Sequence, residues 1–171
     1  MLVQLIRPYV ITCGLLLLPA LAWNVAFLDL LPPAISNPDI WRAIPQPLAI
    51  AENTLRILVF AVPFFMPLHV STRRQRAGIA FFIVGTLVYF GSWLALIASP
   101  QSSWATSAAG FLAPAYTPAL WLLGLALLAQ EFSWGGTCRP WMYGTLSVLF
   151  LAVHISHATI VYVHNYRGAG A

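Results

Sequence analysis

Five apolar segments dominate the sequence, and most are close to the length that a helix needs to cross a bilayer. About 20 consecutive apolar residues are enough for an α-helix to span the hydrocarbon core. The segments occupy approximately residues 9–28, 48–70, 78–98, 115–130 and 141–163. They predict an all-α, polytopic integral membrane bundle of about five transmembrane helices, folded as a single domain over residues 1–171.

The scarcity of charge favours the same fold class. Hydrophobic residues make up 60% of the chain and charged residues only 7%, whereas soluble domains carry about 25% charged residues. A soluble domain of this size could not cover its surface with so few charges. We therefore expect the lipid bilayer to be the main partner and the bacterial inner (plasma) membrane to be the location. The first apolar run is longer than the core of a signal peptide, so we expect it to be retained as a helix.

The arginines predict an orientation. If the N-terminus is cytoplasmic, Arg7, the arginines of a predicted turn at 71–77 and Arg139 lie inside, whereas Arg42 and Arg167 lie outside. Cytoplasmic loops carry the excess of basic residues in membrane proteins, so the pattern predicts a cytoplasmic N-terminus and an external C-terminus. The net charge of +4 is too scattered to form the basic stripe of a nucleic-acid binder, and we expect no nucleic-acid partner.

The connections and their aromatic residues suggest how the helices meet the membrane surface. The proline-rich stretch at 29–47 is expected on the surface, with one short interfacial helix, and 99–114 is an uncharged loop. No long GxxxG-type stripe stands out. The seven tryptophans mostly fall near predicted helix ends, which favours an aromatic belt over an aromatic ligand cage. They are Trp23, Trp41, Trp93, Trp104, Trp121, Trp134 and Trp141.

Ionisable residues within the second predicted span are the first functional candidates, because such side chains are costly in lipid unless paired or hydrated. Glu52, Asn53 and Arg56 lie one to two turns inside the outer boundary, and Glu52 and Arg56 are four residues apart on one helix face. They form either a ligand-binding group or a structural ion pair. Pro63 and Pro67 are expected to kink this helix and free backbone carbonyls.

Histidines in the fifth span form the second group of candidates. His154, His157 and His164 recur along one stripe of that helix, and imidazole serves as a metal ligand, a haem ligand or a proton carrier. His154 and His157 could hold a transition metal if a further ligand came from elsewhere, or one of them could ligate haem. Hydrogen bonds that hold the helices together are the alternative for each of them.

Depth in the membrane links these two groups. At ~1.5 Å rise per residue, Arg56 lies ~12 Å and His154 ~13 Å inside the outer boundary, and Glu52 and His157 match at a shallower level. Other polar side chains fall in the outer halves of the remaining helices. These are Asn24, Tyr89, Ser92, Tyr116 and Thr117. We therefore predict one polar pocket that opens to the outer face, with Glu52, Asn53, Arg56, His154, His157 and Tyr116 as ligand-binding residues.

Several functions fit such a pocket. The leading hypothesis is binding or passage of a small or amphipathic ligand, and the next is a membrane redox protein with haem or a transition metal. An enzyme acting on lipid or isoprenoid, with a histidine as general base and Arg56 as anion clamp, is a third. A structural subunit of a membrane complex, or a homo-oligomer, is a fourth. The sequence contains no HExxH, nucleophile elbow or phosphate-binding glycine loop, and its four acidic residues exclude two-metal phosphate chemistry.

Overall fold

The computed structural model describes residues 9–32 and 44–166, and within these ranges the chain is helical and contains no strand. The helices are α1 (Gly14–Phe27), α2 (Gln46–Ala61), α3 (Arg73–Ala98), α4 (Ser103–Thr106), α5 (Ala108–Phe111), α6 (Ala113–Tyr116), α7 (Pro118–Leu128) and α8 (Pro140–Tyr166). Turns of 3-10 helix at Leu28–Leu30 and Val62–Phe65 continue α1 and α2. The predicted interfacial helix, and the arginines Arg7, Arg42 and Arg167, lie outside the described residues.

Three of these helical stretches are long and apolar enough to cross a membrane. They are Gln46–Phe65, Arg73–Ala98 and Pro140–Tyr166. The first and fourth predicted spans correspond to the shorter apolar helices Gly14–Leu30 and Ala113–Leu128. The prediction of an all-α protein with membrane-compatible helices is confirmed. By length and composition, the structure supports three spans, and the expected count of five is not confirmed.

Helix α3 begins at Arg73, so the expected basic turn at 71–77 is mostly the first turn of a helix. A capping box sets this start: the Thr72 hydroxyl accepts from the Gln75 backbone N–H, and the Gln75 side chain accepts from the Thr72 N–H. Such reciprocal bonds satisfy two of the N–H groups that a helix start leaves without partners. The arginines of this stretch therefore lie in the first turn of α3, at its predicted cytoplasmic end.

The second span ends at Phe65 rather than near Val70, and Pro63 marks the change from α-helix to 3-10 helix. A proline has no N–H, so the carbonyl four residues before it loses its helical partner. That carbonyl belongs to Val59, and the buried Tyr143 hydroxyl of α8 donates to it at 2.8 Å. The expectation that Pro67 kinks this helix is wrong, because the helix has already ended.

The stretch at 99–114 is more ordered than a loop, since it contains α4, α5 and the start of α6. Serines begin the first two of these short helices. Ser102 accepts from the Ala105 N–H, and Ser107 accepts from the Gly110 N–H. These are the bonds that favour serine at helix N-caps.

Glycines bring α3 and α7 into backbone contact. A Cβ added to Gly78 would lie 2.8 Å from the Gly124 carbonyl oxygen, and one added to Gly124 would lie 2.6 Å from the Gly78 oxygen and the Phe82 nitrogen. Gly85, seven residues after Gly78, meets the Trp121 backbone in the same way. Small residues at such points let membrane helices approach closely. The two contact glycines of α3 are seven residues apart, so the contact produces no GxxxG stripe in the sequence.

The remaining contacts arrange the helices around a central space. α2 packs on α8, α8 on α7, and α7 on α3. α1 closes the bundle because Trp23 stacks on Phe90 of α3, with ring centroids 4.1 Å apart. At the other end of α1, the Cys13 N–H donates to the Met66 carbonyl at 2.8 Å. The helices therefore enclose a volume near the ends of α1 and α8, where the candidate site lies.

We expect Gly124→Ala to lower the free energy of unfolding by about 1–3 kcal/mol, because the new methyl group overpacks two backbones that cannot easily separate. Thermal unfolding of the detergent-solubilised protein measures this change. Gly91→Ala on α3 is the matched control, since a Cβ there meets nothing within 4 Å. Equal melting temperatures for the two variants would contradict the close approach.

Candidate ligand-binding site

A cavity of about 730 Å³ lies between α1, α2, α3, α7 and α8. This volume falls in the range of small-molecule sites, about 300–1,000 Å³. Its polar lining residues are Asn24, Asp29, Glu52, Arg56, Tyr89, His154 and His157. Its aromatic lining residues, besides Tyr89, are Phe60, Trp93, Phe111, Trp121 and Phe150. The cavity is thus largely apolar, with a small number of polar groups on its wall.

The Glu52 carboxylate is the centre of the polar wall. Glu52 is only 2% exposed, and its oxygens contact Arg56 of the same helix and both histidines of α8. His154 Nδ1 lies 2.8 Å from Oε1, and His157 Nδ1 contacts Oε2. Four-residue spacing places Arg56 beside Glu52, and three-residue spacing turns both imidazoles towards α2. The structure therefore brings together the two groups that the sequence matched only in depth.

The contacts define which ring nitrogen each histidine presents. An ionised carboxylate only accepts hydrogen bonds, so a neutral imidazole beside it donates from Nδ1. His154 then carries its lone pair on Nε2. Its side chain is 26% exposed, against 7% for His157, and its ring stacks on Phe150 at a centroid distance of 5.2 Å. His154 is therefore a ring held in place by Glu52 and Phe150 while part of it remains accessible.

Other predicted site residues lie apart from the cavity. Asn53 is exposed beside Arg56, with its Oδ1 3.5 Å from the guanidinium. Tyr116 is also exposed, and its hydroxyl donates to the Ala109 carbonyl at 3.0 Å. His164 is exposed near the end of α8. None of these three is among the residues that line the cavity.

Two tryptophans assigned to a membrane belt are instead buried in the cavity wall. Trp93 is 6% and Trp121 3% exposed, and the indole N–H of Trp121 has no acceptor among the described residues. The belt interpretation is wrong for these two, since a belt residue lies at the lipid-facing surface. The spacing of Tyr89 and Trp93, four residues apart, was a signal for one shared aromatic face. Nothing comparable in the sequence pointed to Trp121.

Tyr89 links two further helices at the cavity. Its hydroxyl donates to Asn24 Oδ1 of α1 at 2.5 Å. The other polar residues of the outer halves behave differently, because Ser92 and Thr117 donate to carbonyls of preceding residues in their own chain segment. Such local bonds satisfy a buried hydroxyl without making it available to a ligand.

The geometry gives the metal hypothesis no support. Across residues 9–32 and 44–166, no group of three or more histidine, cysteine, aspartate or glutamate side chains is disposed to hold a metal ion. The reason is visible at Glu52, where the imidazole nitrogens face the carboxylate oxygens rather than a common centre. Ligation of haem by one of the imidazoles stays a prediction.

The cysteines take no part in the site. Cys13 and Cys138 are both buried with free thiols, and neither lines the cavity. Burial raises the pKa of the Cys138 thiol, which keeps it in the less reactive protonated form. A nucleophilic cysteine is therefore not a feature of this cavity.

Fold and site together describe an all-helical, membrane-compatible protein with an aromatic cavity and a buried carboxylate–imidazole cluster. Comparisons with protein-family models, with curated proteins and with solved structures find no match for this chain. Its function is therefore argued from the chemistry of the site.

We expect Glu52→Ala to lower the free energy of unfolding by about 1–3 kcal/mol, because Arg56 and two imidazoles lose a buried acceptor. Asn53→Ala should change it little, since Asn53 is the neighbouring residue on the same helix and is exposed. Thermal unfolding in detergent compares the two variants. A Glu52→Ala protein as stable as Asn53→Ala would show that the cluster does not hold α2 against α8.

Proposed function

We propose that the protein binds a small amphipathic molecule within the membrane, in the cavity between its helices. The observation that carries this proposal is the buried Glu52 cluster on the wall of a largely apolar cavity that contains several aromatic residues. Aromatic side chains suit the apolar part of a ligand, and a few fixed polar groups orient its polar part. Binding is favoured over passage, because one small chain without a visible inverted repeat is a poor basis for alternating access.

The purely structural alternative explains less of the site. Glu52 itself is sealed, as a purely structural carboxylate would be, but two of its partners are not. Arg56 keeps 42% of its side chain exposed and His154 keeps 26%, and both line the cavity. Ionisable groups at membrane depth that face a cavity are functional candidates for this reason. The cluster therefore supports both packing and ligand contact.

We propose a topology of five spans, with the N-terminus cytoplasmic and the cavity open to the outer face of a bacterial inner membrane. The two short apolar helices, Gly14–Leu30 and Ala113–Leu128, supply the first and fourth spans. Local thinning of the bilayer and flanking polar side chains that extend to the interface accommodate helices shorter than the hydrocarbon core. The positions of the arginines support the orientation.

This topology predicts opposite sides for Gln101 and Thr137, two exposed positions that flank Ala113–Leu128. In intact cells, a membrane-impermeant maleimide should label Gln101→Cys from outside and Thr137→Cys only after permeabilisation. The two native cysteines are buried and serve as the background. If both introduced cysteines label from the same side, Ala113–Leu128 does not span the membrane and the five-span topology is overturned.

If the cavity binds the ligand, a bulky side chain placed in the cavity should abolish ligand binding. In nanodiscs, decanol or decanesulfonate with a terminal bromine should quench the fluorescence of Trp93 and Trp121, because a heavy atom quenches only at close contact. This quenching should include a saturable component as the probe concentration rises. Ala158→Phe should remove that component because Ala158 lines the cavity. Ala152→Phe on the same helix is exposed and should retain it. Quenching without a saturable component, or equal quenching in the two variants, would contradict a binding cavity.

A further inference from the structure

The hydrogen-bonding groups of the wall specify a ligand class. We propose that the ligand carries an anionic headgroup that pairs with Arg56, and that about one proton enters the cluster of Glu52, His154 and His157 when it binds. The inference rests on the proposed function and deepens it. It follows from the charges that face the cavity, from a further donor on its wall, and from the charge balance around the buried Glu52 carboxylate.

The charged and titratable groups facing the cavity come from four elements. They are Asp29 at the end of α1, Glu52 and Arg56 on α2, Tyr89 on α3, and His154 and His157 on α8. The carboxylate of Glu52 already accepts from Arg56 and both imidazoles. Asp29 is exposed, so water screens its charge. Among the described residues, the wall therefore has no buried carboxylate available to a cationic ligand.

Arg56 is able to bind a second anion. A guanidinium has five N–H donors in a planar fork, and the contact with Glu52 is made by Nη2. The contact between Nη1 and Asn53 is long, at 3.5 Å. The Arg56 side chain is 42% exposed and lines the cavity, so N–H donors of its guanidinium that Glu52 does not use remain available there. Arginine pairs with carboxylate, phosphate or sulfonate oxygens through two parallel hydrogen bonds.

One further donor on the wall points to the same class of ligand. Asn24 lines the cavity and accepts from Tyr89 through its Oδ1, which leaves its amide N–H groups as donors. These groups can donate to a ligand rich in oxygen acceptors but not to a cation.

The charge balance of the site predicts that a proton is taken up when the anion binds. With neutral imidazoles, Glu52 and Arg56 sum to zero, so an incoming anion leaves one uncompensated negative charge beside the buried Glu52 carboxylate, where an unpaired charge is costly. A proton from solution on Nε2 of His154 restores neutrality, because Nδ1 already faces Glu52. His154 is more exposed than His157 and is the more accessible of the two to a proton from solution. Since the complex then holds more protons than the free protein, binding weakens as pH rises, by up to about tenfold per pH unit.

The test compares three probes on the wild-type protein in phosphatidylcholine nanodiscs: decanesulfonate, decanol and decyltrimethylammonium. The sulfonate stays ionised across the accessible pH range, so any proton taken up belongs to the protein. Calorimetry in two buffers of different ionisation enthalpy counts protons. We expect decanesulfonate to bind at least about tenfold more tightly than the other probes, a difference of about 1.4 kcal/mol, with uptake of about one proton.

Two variants and a control assign the roles. Arg56→Gln should remove the preference for the sulfonate, and His154→Gln should remove the proton uptake while sulfonate binding survives in weakened form. Asn53→Ala, outside the cavity, should match the wild type in both respects. Thermal unfolding of each variant checks that it is folded. The probe comparison and the proton count on the wild type do not depend on any variant.

The outcomes separate the inference from the proposed function. If none of the probes binds saturably, the proposed binding function fails and the inference fails with it. If decanol or decyltrimethylammonium binds as tightly as the sulfonate, the binding function stands and the anionic ligand class is overturned. Tight sulfonate binding with no proton uptake overturns the coupling to the histidine cluster.

Discussion

The packing of α2 and α8 depends on one buried carboxylate, which must be supplied with hydrogen-bond donors. Glu52 is almost completely removed from water, and an ionised group in such a position requires donors from its surroundings. Arg56 supplies one from the next turn, but the other two come from α8. Satisfying Glu52 therefore sets both the register and the rotation of α8 against α2. The cavity forms along this contact, so the same interaction stabilises the bundle and gives the cavity its polar wall.

Backbone constraints define the remaining walls. Pro63 removes the helical partner of the Val59 carbonyl, and Tyr143 replaces it, which adds a second fixed contact between α2 and α8. On the other side, Gly78 and Gly124 allow α3 and α7 to meet at backbone distance. These two tight helix pairs leave the space between them incompletely filled. Aromatic side chains line that space without closing it.

Packing and ligand contact make different demands on the polar cluster. For packing, the carboxylate must be shielded and saturated with donors, and Glu52 meets that demand. Ligand contact requires groups that are ordered but accessible, as Arg56 and His154 are. Each of these two residues is held by its bond to Glu52 while another part of it faces the cavity. An arrangement of this kind preorganises a binding site at little additional entropic cost.

The sequence by itself determined the helical, membrane-compatible class, the pairing of Glu52 with Arg56, and the common depth of this pair and the histidines. Length, hydropathy and a fixed rise per residue suffice for these. The capping box at Thr72 was also readable, although the arginines beside it suggested a turn. Only the tertiary structure decided that Trp121 belongs to the cavity whereas Asn53 and Tyr116 do not. Position along a helix follows from the sequence, but rotation about the helix axis is set by the packing of neighbouring helices, and rotation decides which side chains face one another.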